Sequence, residues 1–372
     1  MLKNFCPDLF HGFYIERVDS RRSRISNCCL QEDRNMPTTT ISFDSHSLVE
    51  ARNYYRTSGE LPKSCSPCIE IEKANGVSRR KQLIEDQPYK FDLEKPKLKK
   101  IHYNCENICN LKCIICSSFN SSAWLQDEIK LGLPIKSKGK VGDCATNKTV
   151  FNLDFTDLEV IAFNGGEPLA TDDHLELLEH AIIHGNSYNI VIEYNTNATF
   201  SVTDRVKDIW SQFKHVSLYA SIDGTEEQFE YVRYPANWYD VTQKLDEYRQ
   251  IPNVNVSIGA TIGIHNIFYA DKLIKWCKDN NFFLGLNYCL ESFSLKNYPI
   301  HLQSKLHEYL ESLDNTNYKN TLLDMTNLIE GNYTRDLNPF KLLNKLDTIR
   351  NVSWKVSLER LYNLDPDFFD KH

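Results

Sequence analysis

Six short runs rich in β-branched and aromatic residues recur along the middle of the chain, at 101–103, 160–163, 190–194, 216–222, 254–262 and 282–288. Such composition predicts strands. Stretches with helical spacing separate them. Over 172–184 the residues Leu175, Leu178, Ala181 and Ile182 fall on one face, with Thr171 as the expected N-cap. The stretches 203–213 and 267–280 repeat that pattern. Apolar strands alternating with amphipathic helices predict a parallel sheet with helices outside. Six units are too few for an eightfold barrel. The expected fold class is therefore α/β: an open, partial (β/α)6 barrel over residues 96–298.

The flanks read differently. Residues 1–95 are irregular and bear cysteines, and the charged run around Pro96 marks the boundary. Residues 131–150, rich in Gly and Lys, read as a loop insertion. Residues 299–372 form a helical extension, with helices expected at 301–313, 320–330, 339–350 and 354–362. Amphipathic stripes of that kind read as a packing layer.

Composition narrows the function. The chain has 372 residues, with 41% hydrophobic, 25% charged and a net charge of −7. That balance argues against nucleic acid as a partner, which wants a basic face. No apolar run approaches the ~18 residues of a membrane span. The start, Met1 to Pro7, lacks the apolar core and small-residue cleavage site of a signal peptide. Twelve cysteines in such a chain point to metal binding or catalysis rather than disulfides, which implies a reducing, cytoplasmic location.

The cysteines cluster, and one cluster is diagnostic. Cys109-Asn110-Leu111-Lys112-Cys113-Ile114-Ile115-Cys116 has the spacing C-x3-C-x2-C. Iron–sulfur clusters are usually held by four thiolates. Three on one loop leave one iron of a cubane open, and an open metal position is where chemistry happens. A frame of Cys105, Cys109 and Cys113 lacks the tight x2 turn, so Cys105 reads as a free thiol near the cluster. Further polar clusters fall at the expected strand ends: Asn164-Gly165-Gly166-Glu167-Pro168, Asn195-Thr196-Asn197, Ser221-Ile222-Asp223-Gly224, and Asn266. Parallel α/β folds bind ligands at that rim. A lone Gly-Gly-Glu-Pro would be a turn before a helix; convergence on one rim favours a site.

These motifs resemble those of the radical S-adenosylmethionine (SAM) enzymes. The cysteine loop is similar to that family's C-N-L-K-C-x-x-C loop. Gly165 to Pro168 resembles its GGEP motif, Thr196-Asn197 its TN element, and Ser221 to Gly224 its S-x-D-G element. The resemblance implies that Cys109, Cys113 and Cys116 hold a 4Fe–4S cluster whose free iron is chelated by SAM. It implies that Gly165 and Gly166 let backbone approach the methionyl group, and that Glu167 meets the methionyl amine. Thr196, Asn197, Ser221 and Asp223 would meet the ribose, and Arg233 the SAM carboxylate. Ile115 stands where the family often has an aromatic residue near adenine, so adenine contacts are unassigned.

The amino-terminal cysteines Cys6, Cys28, Cys29, Cys65 and Cys68 resemble the twitch and SPASM auxiliary-cluster modules, here ahead of the barrel. The resemblance implies a second 4Fe–4S cluster on Cys6, Cys28, Cys65 and Cys68, with Cys29 able to replace Cys28. A four-cysteine zinc site is the alternative. The resemblance further implies reductive SAM cleavage to a 5′-deoxyadenosyl radical, a reductant such as flavodoxin or ferredoxin, and a peptide or small-molecule substrate. The competing reading is a non-catalytic, zinc-binding module with a ligand-binding barrel. His11, His102, His265 and Tyr288 are weaker candidates for substrate contact, each also readable as structural.

Overall fold

A computed structural model describes residues 5–18, 21–31, 36–86, 92–104, 107–137, 148–314, 316–330 and 338–371. Cys105, Cys144 and residues 138–147 of the expected loop insertion lie outside them.

The strands form one eight-stranded sheet in the order β2-β1-β3-β4-β5-β6-β7-β8. They are β1 Gly12–Arg17, β2 Ser23–Ser26, β3 Lys100–Asn104, β4 Val160–Asn164, β5 Val191–Thr196, β6 His215–Ser221, β7 Val254–Ile262 and β8 Leu284–Tyr288. Each of the six expected runs became one of the strands β3 to β8, paired in parallel with its sequence neighbour. Among the described residues the sheet is open, its edges being β2 and β8. Helices fill every crossover from β3 onward: α5 Trp124–Leu131, α6 Asp173–Ile183, α7 Asp204–Trp210, α8 Glu226–Val232 with α9 Trp238–Arg249, and α10 Ala270–Asp279. The expected cap of α6 moves by one residue, to Asp172, which makes no side-chain capping bond.

The first residues are not irregular. Ahead of β1 stands α1 Pro7–His11, and after β2 come α2 His46–Ser58, α3 Ser66–Lys73 and α4 Arg79–Asp86. β1 pairs in parallel with β3 and antiparallel with β2. The segment expected as a separate module is therefore joined to the sheet. It also keeps a small core of its own, where Phe5, Leu9, Phe10 and Tyr55 pack around Cys6. Farther along it reaches the opposite edge: Lys296 Nζ bonds Glu70 at 2.8 Å and Asn327 Nδ2 bonds the Ala74 carbonyl at 3.2 Å.

Side chains alternate across each strand. One sheet face, with Ile101, Tyr103, Ile161, Phe163, Ile192, Tyr194, Val216 and Leu218, is buried under the helices. The other carries Tyr14, His102, Asn164, Glu193, Tyr219, Ser257 and Asn287, and there Tyr219 stays 38% exposed in mid-sheet. A fully packed sheet would exclude water there, so the polar face lines an open trough.

The carboxyl-terminal helices are α11 Gln303–Glu311, α12 Thr316–Thr326 and α13 Pro339–Arg350, then the short helices Trp354–Ser357, Glu359–Tyr362 and Pro366–Lys371. α13 starts as its sequence dictates. Asn338 Oδ1 accepts from the Phe340 and Lys341 N–H groups and Pro339 takes the first turn. Its Arg350 and Asp347 reach the cysteine loop's supports.

Candidate active site

Cys109, Cys113 and Cys116 lie on the loop that leaves the carboxyl end of β3, all half-buried. The loop is tied down from two sides. Lys112 N donates to the Tyr234 carbonyl at 2.6 Å, and Ile114 N to the Val232 carbonyl at 2.9 Å. Below it, Trp124 Nε1 donates to the Cys113 carbonyl at 2.8 Å. Lys112 Nζ reaches Asp127 Oδ1 at 2.9 Å, and Asp127 Oδ2 takes Arg350 at 3.1 Å. The carboxyl-terminal helix α13 thus braces the loop through a buried ion pair.

The Gly-Gly-Glu-Pro turn after β4 serves that loop too. A Cβ on Gly166 would stand 2.1 Å from the Ile108 carbonyl oxygen, and Glu167 N donates to that same oxygen at 2.7 Å. Gly166 is therefore filled by the stem of the cysteine loop, where approach to a methionyl group was expected. Only glycine permits so close a backbone contact. Gly165 stands beside it in the turn, half-buried and at a positive φ.

Glu167 is held in a network of its own. Its carboxylate accepts the Thr196 hydroxyl at 2.7 Å, Asn197 N at 2.5 Å and Leu169 N at 3.1 Å. Thr196 Oγ1 in turn accepts from Ala198 N at 3.0 Å. Glu167 and Thr196 are thus engaged with one another, and of the carboxylate's roughly four lone-pair positions three are taken. Burial pushes the Glu167 carboxyl up to about 7, against the three donors aimed at it.

Asn197 takes a place the motif did not reveal. Its Nδ2 lies 3.6 Å from Cys109 Sγ and 3.0 Å from Asn110 Oδ1. An amide N–H aimed at a cysteine sulfur is an outer-shell contact of the sort that tunes a metal ligand. Arg233, at the end of α8, stands between two groups: Nη2 is 2.7 Å from Asp223 Oδ2, and Nη1 is 4.0 Å from Cys113 Sγ. Burial opposes its charge, but the Asp223 carboxylate holds its pKa above the ordinary value. Asp223 Oδ1 accepts Thr261 N at 2.8 Å, and its carbonyl accepts Asn266 Nδ2 at 3.0 Å. Ser221, half-buried, lies on the trough face opposite Gly259 of β7.

The donors suit an iron–sulfur cluster. Burial raises all three thiol pKa values, that of Cys113 to about 11. Metal-free thiols here are neutral, and metal binding must displace their protons. The nearby guanidinium and amide would offset the thiolate charge.

The second set of cysteines also converges. Cys6, Cys28, Cys65 and Cys68 line one small pocket, with Leu9, Leu30, Leu61, Pro67 and Arg80 among its walls. Cys29 is not among its walls; it stands in the field of Arg79 and His102. Among the described residues no three His, Cys, Asp or Glu side chains gather around a single-ion position. Four thiols around one pocket are a donor set that iron–sulfur and structural zinc sites share.

The weaker candidates divide. His11 is structural: Nδ1 bonds the Lys97 carbonyl at 2.9 Å and Nε2 accepts Asp92 N at 2.6 Å. Tyr288 packs its hydroxyl over Gly76 of the amino-terminal segment. His102 and His265 are buried with ring nitrogens that have no hydrogen-bond partner among the described residues.

No protein-family model and no curated protein matches the chain. Solved structures similar to it include native anSMEcpe with bound AdoMet, at TM-score 0.44 and 20% identity, covering 61% of this chain and 62% of that one. The chain thus spans about three fifths of that protein's length. SuiB of Streptococcus suis bound to S-adenosylmethionine matches at TM-score 0.36 and 12% identity, covering 80% and 66%. SuiB bound to precursor peptide SuiA matches at TM-score 0.36 and 12% identity, covering 80% and 68%. Likenesses this distant assign no role to any residue of this chain.

Proposed function

We propose that the chain is a radical SAM enzyme, with a SAM-binding 4Fe–4S cluster on Cys109, Cys113 and Cys116. The observation that carries this reading is the placement of those thiols. They sit on one loop at the carboxyl rim of a parallel sheet, with the Arg233 guanidinium 4.0 Å from Cys113 Sγ and the Asn197 amide 3.6 Å from Cys109 Sγ. When bound, the cluster would supply the electron that cleaves SAM to methionine and a 5′-deoxyadenosyl radical, which takes hydrogen from the substrate.

The chain's own residues have definable parts in that reaction. Gly166 and Glu167 clamp the loop stem, and Lys112, Asp127 and Arg350 brace it from below. Arg233, paired with Asp223, holds positive charge beside Cys113 and would meet the SAM carboxylate. Ser221 lies on the trough face, where a ribose hydroxyl would meet it, and Asp223 holds Arg233. Asn197 donates toward the Cys109 sulfur.

In the same reading Cys6, Cys28, Cys65 and Cys68 hold an auxiliary 4Fe–4S cluster. Residues 1–95 are its module, 96–298 the catalytic barrel and 299–372 a bracing extension. The polar trough, lined by amide, hydroxyl and carboxylate groups, suits a peptide or a polar small metabolite. A one-electron donor such as flavodoxin or ferredoxin would supply the reductant. Among the described residues no helix is long and apolar enough to cross a membrane, and the oxygen-sensitive chemistry suits the cytoplasm.

Anaerobic purification tests the proposal. The expected product is a brown protein carrying about eight irons, as two cubanes require, that makes 5′-deoxyadenosine when reduced with SAM. Cys113→Ala should fold normally and make none. A colourless, zinc-saturated protein, or 5′-deoxyadenosine from Cys113→Ala, would refute it.

A further inference from the structure

A cavity of about 460 Å³ opens beside the cysteine loop, within the size range of small-molecule sites. It lies where the loop after β3 meets the segment after β8, and α5 and α13 complete it. Ile115, Cys116, Trp124, Leu290, Phe293 and Leu342 are among its walls. Trp124 and Phe293 are buried, whereas Leu290 keeps 60% of its surface exposed. The position is the carboxyl rim of both strands, where parallel α/β folds take ligands.

The charged walls are unbalanced. Lys136, Lys341 and Lys345 share the cavity with Glu128 and Glu291. Both carboxylates are engaged. Glu128 accepts from Ser118 N at 2.8 Å and from Lys136 N at 3.3 Å, and Glu291 pairs with Lys136 Nζ at 2.5 Å. Lys341 and Lys345 are left over. Both are exposed, and among the described residues neither side chain has a hydrogen-bond or ion-pair partner. They stand one turn apart on one face of α13, with Asn338 and Leu342 beside them on the cavity. Like charges at that spacing repel, and an anion held between them would reverse the sign of that interaction. The excess of cation is local, since the whole chain carries −7.

We propose that this cavity binds the substrate, and that the substrate is an amphipathic anion. Its apolar body would lie against Ile115, Leu290 and Phe293, and its carboxylate or phosphate head between Lys341 and Lys345. The proposal deepens the radical SAM reading and rests on it. Cys116 in the wall sets the occupant against the cluster position, and a 5′-deoxyadenosyl radical takes hydrogen only from a molecule held in contact with it. SAM is not the occupant that the lysines call for. In that reading its carboxylate belongs to Arg233, and adenine is uncharged. None of Gly165, Ser221, Asp223 and Arg233 is a wall of the cavity. Lys341 and Lys345 are thus specificity residues for the head group of the substrate; no chemical step is assigned to them.

Calorimetric titration of the anaerobically reconstituted, SAM-loaded protein tests this with three probes of similar shape: phenylbutyrate, phenylbutyl phosphate and uncharged phenylbutanol. An anion should bind about tenfold more tightly than the alcohol, the worth of a charge-assisted hydrogen bond. The tighter of the two anions names the head group. Lys341→Met combined with Lys345→Met should remove that advantage without lowering Tm, because both side chains are exposed. Equal binding of the three probes, or an anion preference that survives the double substitution, would overturn the proposal. Anion binding confined to the SAM-free protein would overturn it too, since the cavity would then be SAM's own. A wild type that takes up no cluster, or makes no 5′-deoxyadenosine, would instead overturn the radical SAM reading, and the substrate assignment with it.

Discussion

Arg350→Met is the sharpest test of how the carboxyl-terminal helix serves the cysteine loop. Arg350 donates from Nε and Nη2 to Asp127 Oδ2 at 3.2 and 3.1 Å, and its guanidinium lies 5.0 Å from the rings of both Trp124 and Tyr234. Its side chain is 4% exposed and that of Asp127 3%. Breaking a buried pair from one side costs about 3–5 kcal/mol, because a charge is left without compensation. Lys112 still reaches Asp127 Oδ1, which returns part of that cost. Loss of the two ring contacts adds about 1 kcal/mol. The net expectation is a destabilisation of about 3 kcal/mol. Methionine keeps the buried stem, so the change reports the charge and not a cavity. Urea unfolding of the metal-free protein reads the magnitude. Iron retention after gel filtration reads the effect on the loop, since Lys112 lies between Cys109 and Cys113. Asp127→Asn combined with Arg350→Met should cost less than the two single changes together, as coupled neighbours do. An Arg350→Met protein within ~0.5 kcal/mol of wild type, the range of an ordinary surface change, would refute the bracing role.

Three further outcomes are set by the geometry. Gly166→Ala must displace the Ile108 carbonyl and should cost about 2–4 kcal/mol, read as a lower Tm; an unchanged Tm would remove the clamp. Glu167 has a folded pKa of about 7, raised from 4.5 mainly by burial. Its stabilising contribution is thus full below pH 4.5 and is lost as pH rises through 7, about 3 kcal/mol for a shift of that size. The ligand-free protein should lose stability between pH 5 and pH 8 at this group, and Glu167→Gln should flatten that part of the urea-midpoint profile; a wild-type profile that is already flat there refutes it. Finally, Cys28 lines the four-cysteine pocket and Cys29 does not. Cys28→Ser should lower bound iron by about half while Cys29→Ser retains it; the reverse result would exchange the two residues.

Where local rules suffice, the sequence alone was decisive. The apolar run at 254–262 became β7 over those same residues, and 339–350 became α13, because Asn338 and Pro339 start that helix and Asn351 in a left-handed conformation ends it. The three cysteines, the rim motifs and the parallel order of β3 to β8 were legible for the same reason: spacing, periodicity and caps act over a few residues. The tertiary structure alone decided who meets whom. It brought β1 to the edge of β3, gave Gly166 to the Ile108 backbone, turned Thr196 toward Glu167, aimed Asn197 at Cys109, chose Cys28 over Cys29 for the pocket wall, and set Lys341 and Lys345 on the cavity beside Cys116. Each of those outcomes depends on contacts between distant parts of the chain, whose entropy cost is repaid only when the whole core packs, and no local pattern carries that information.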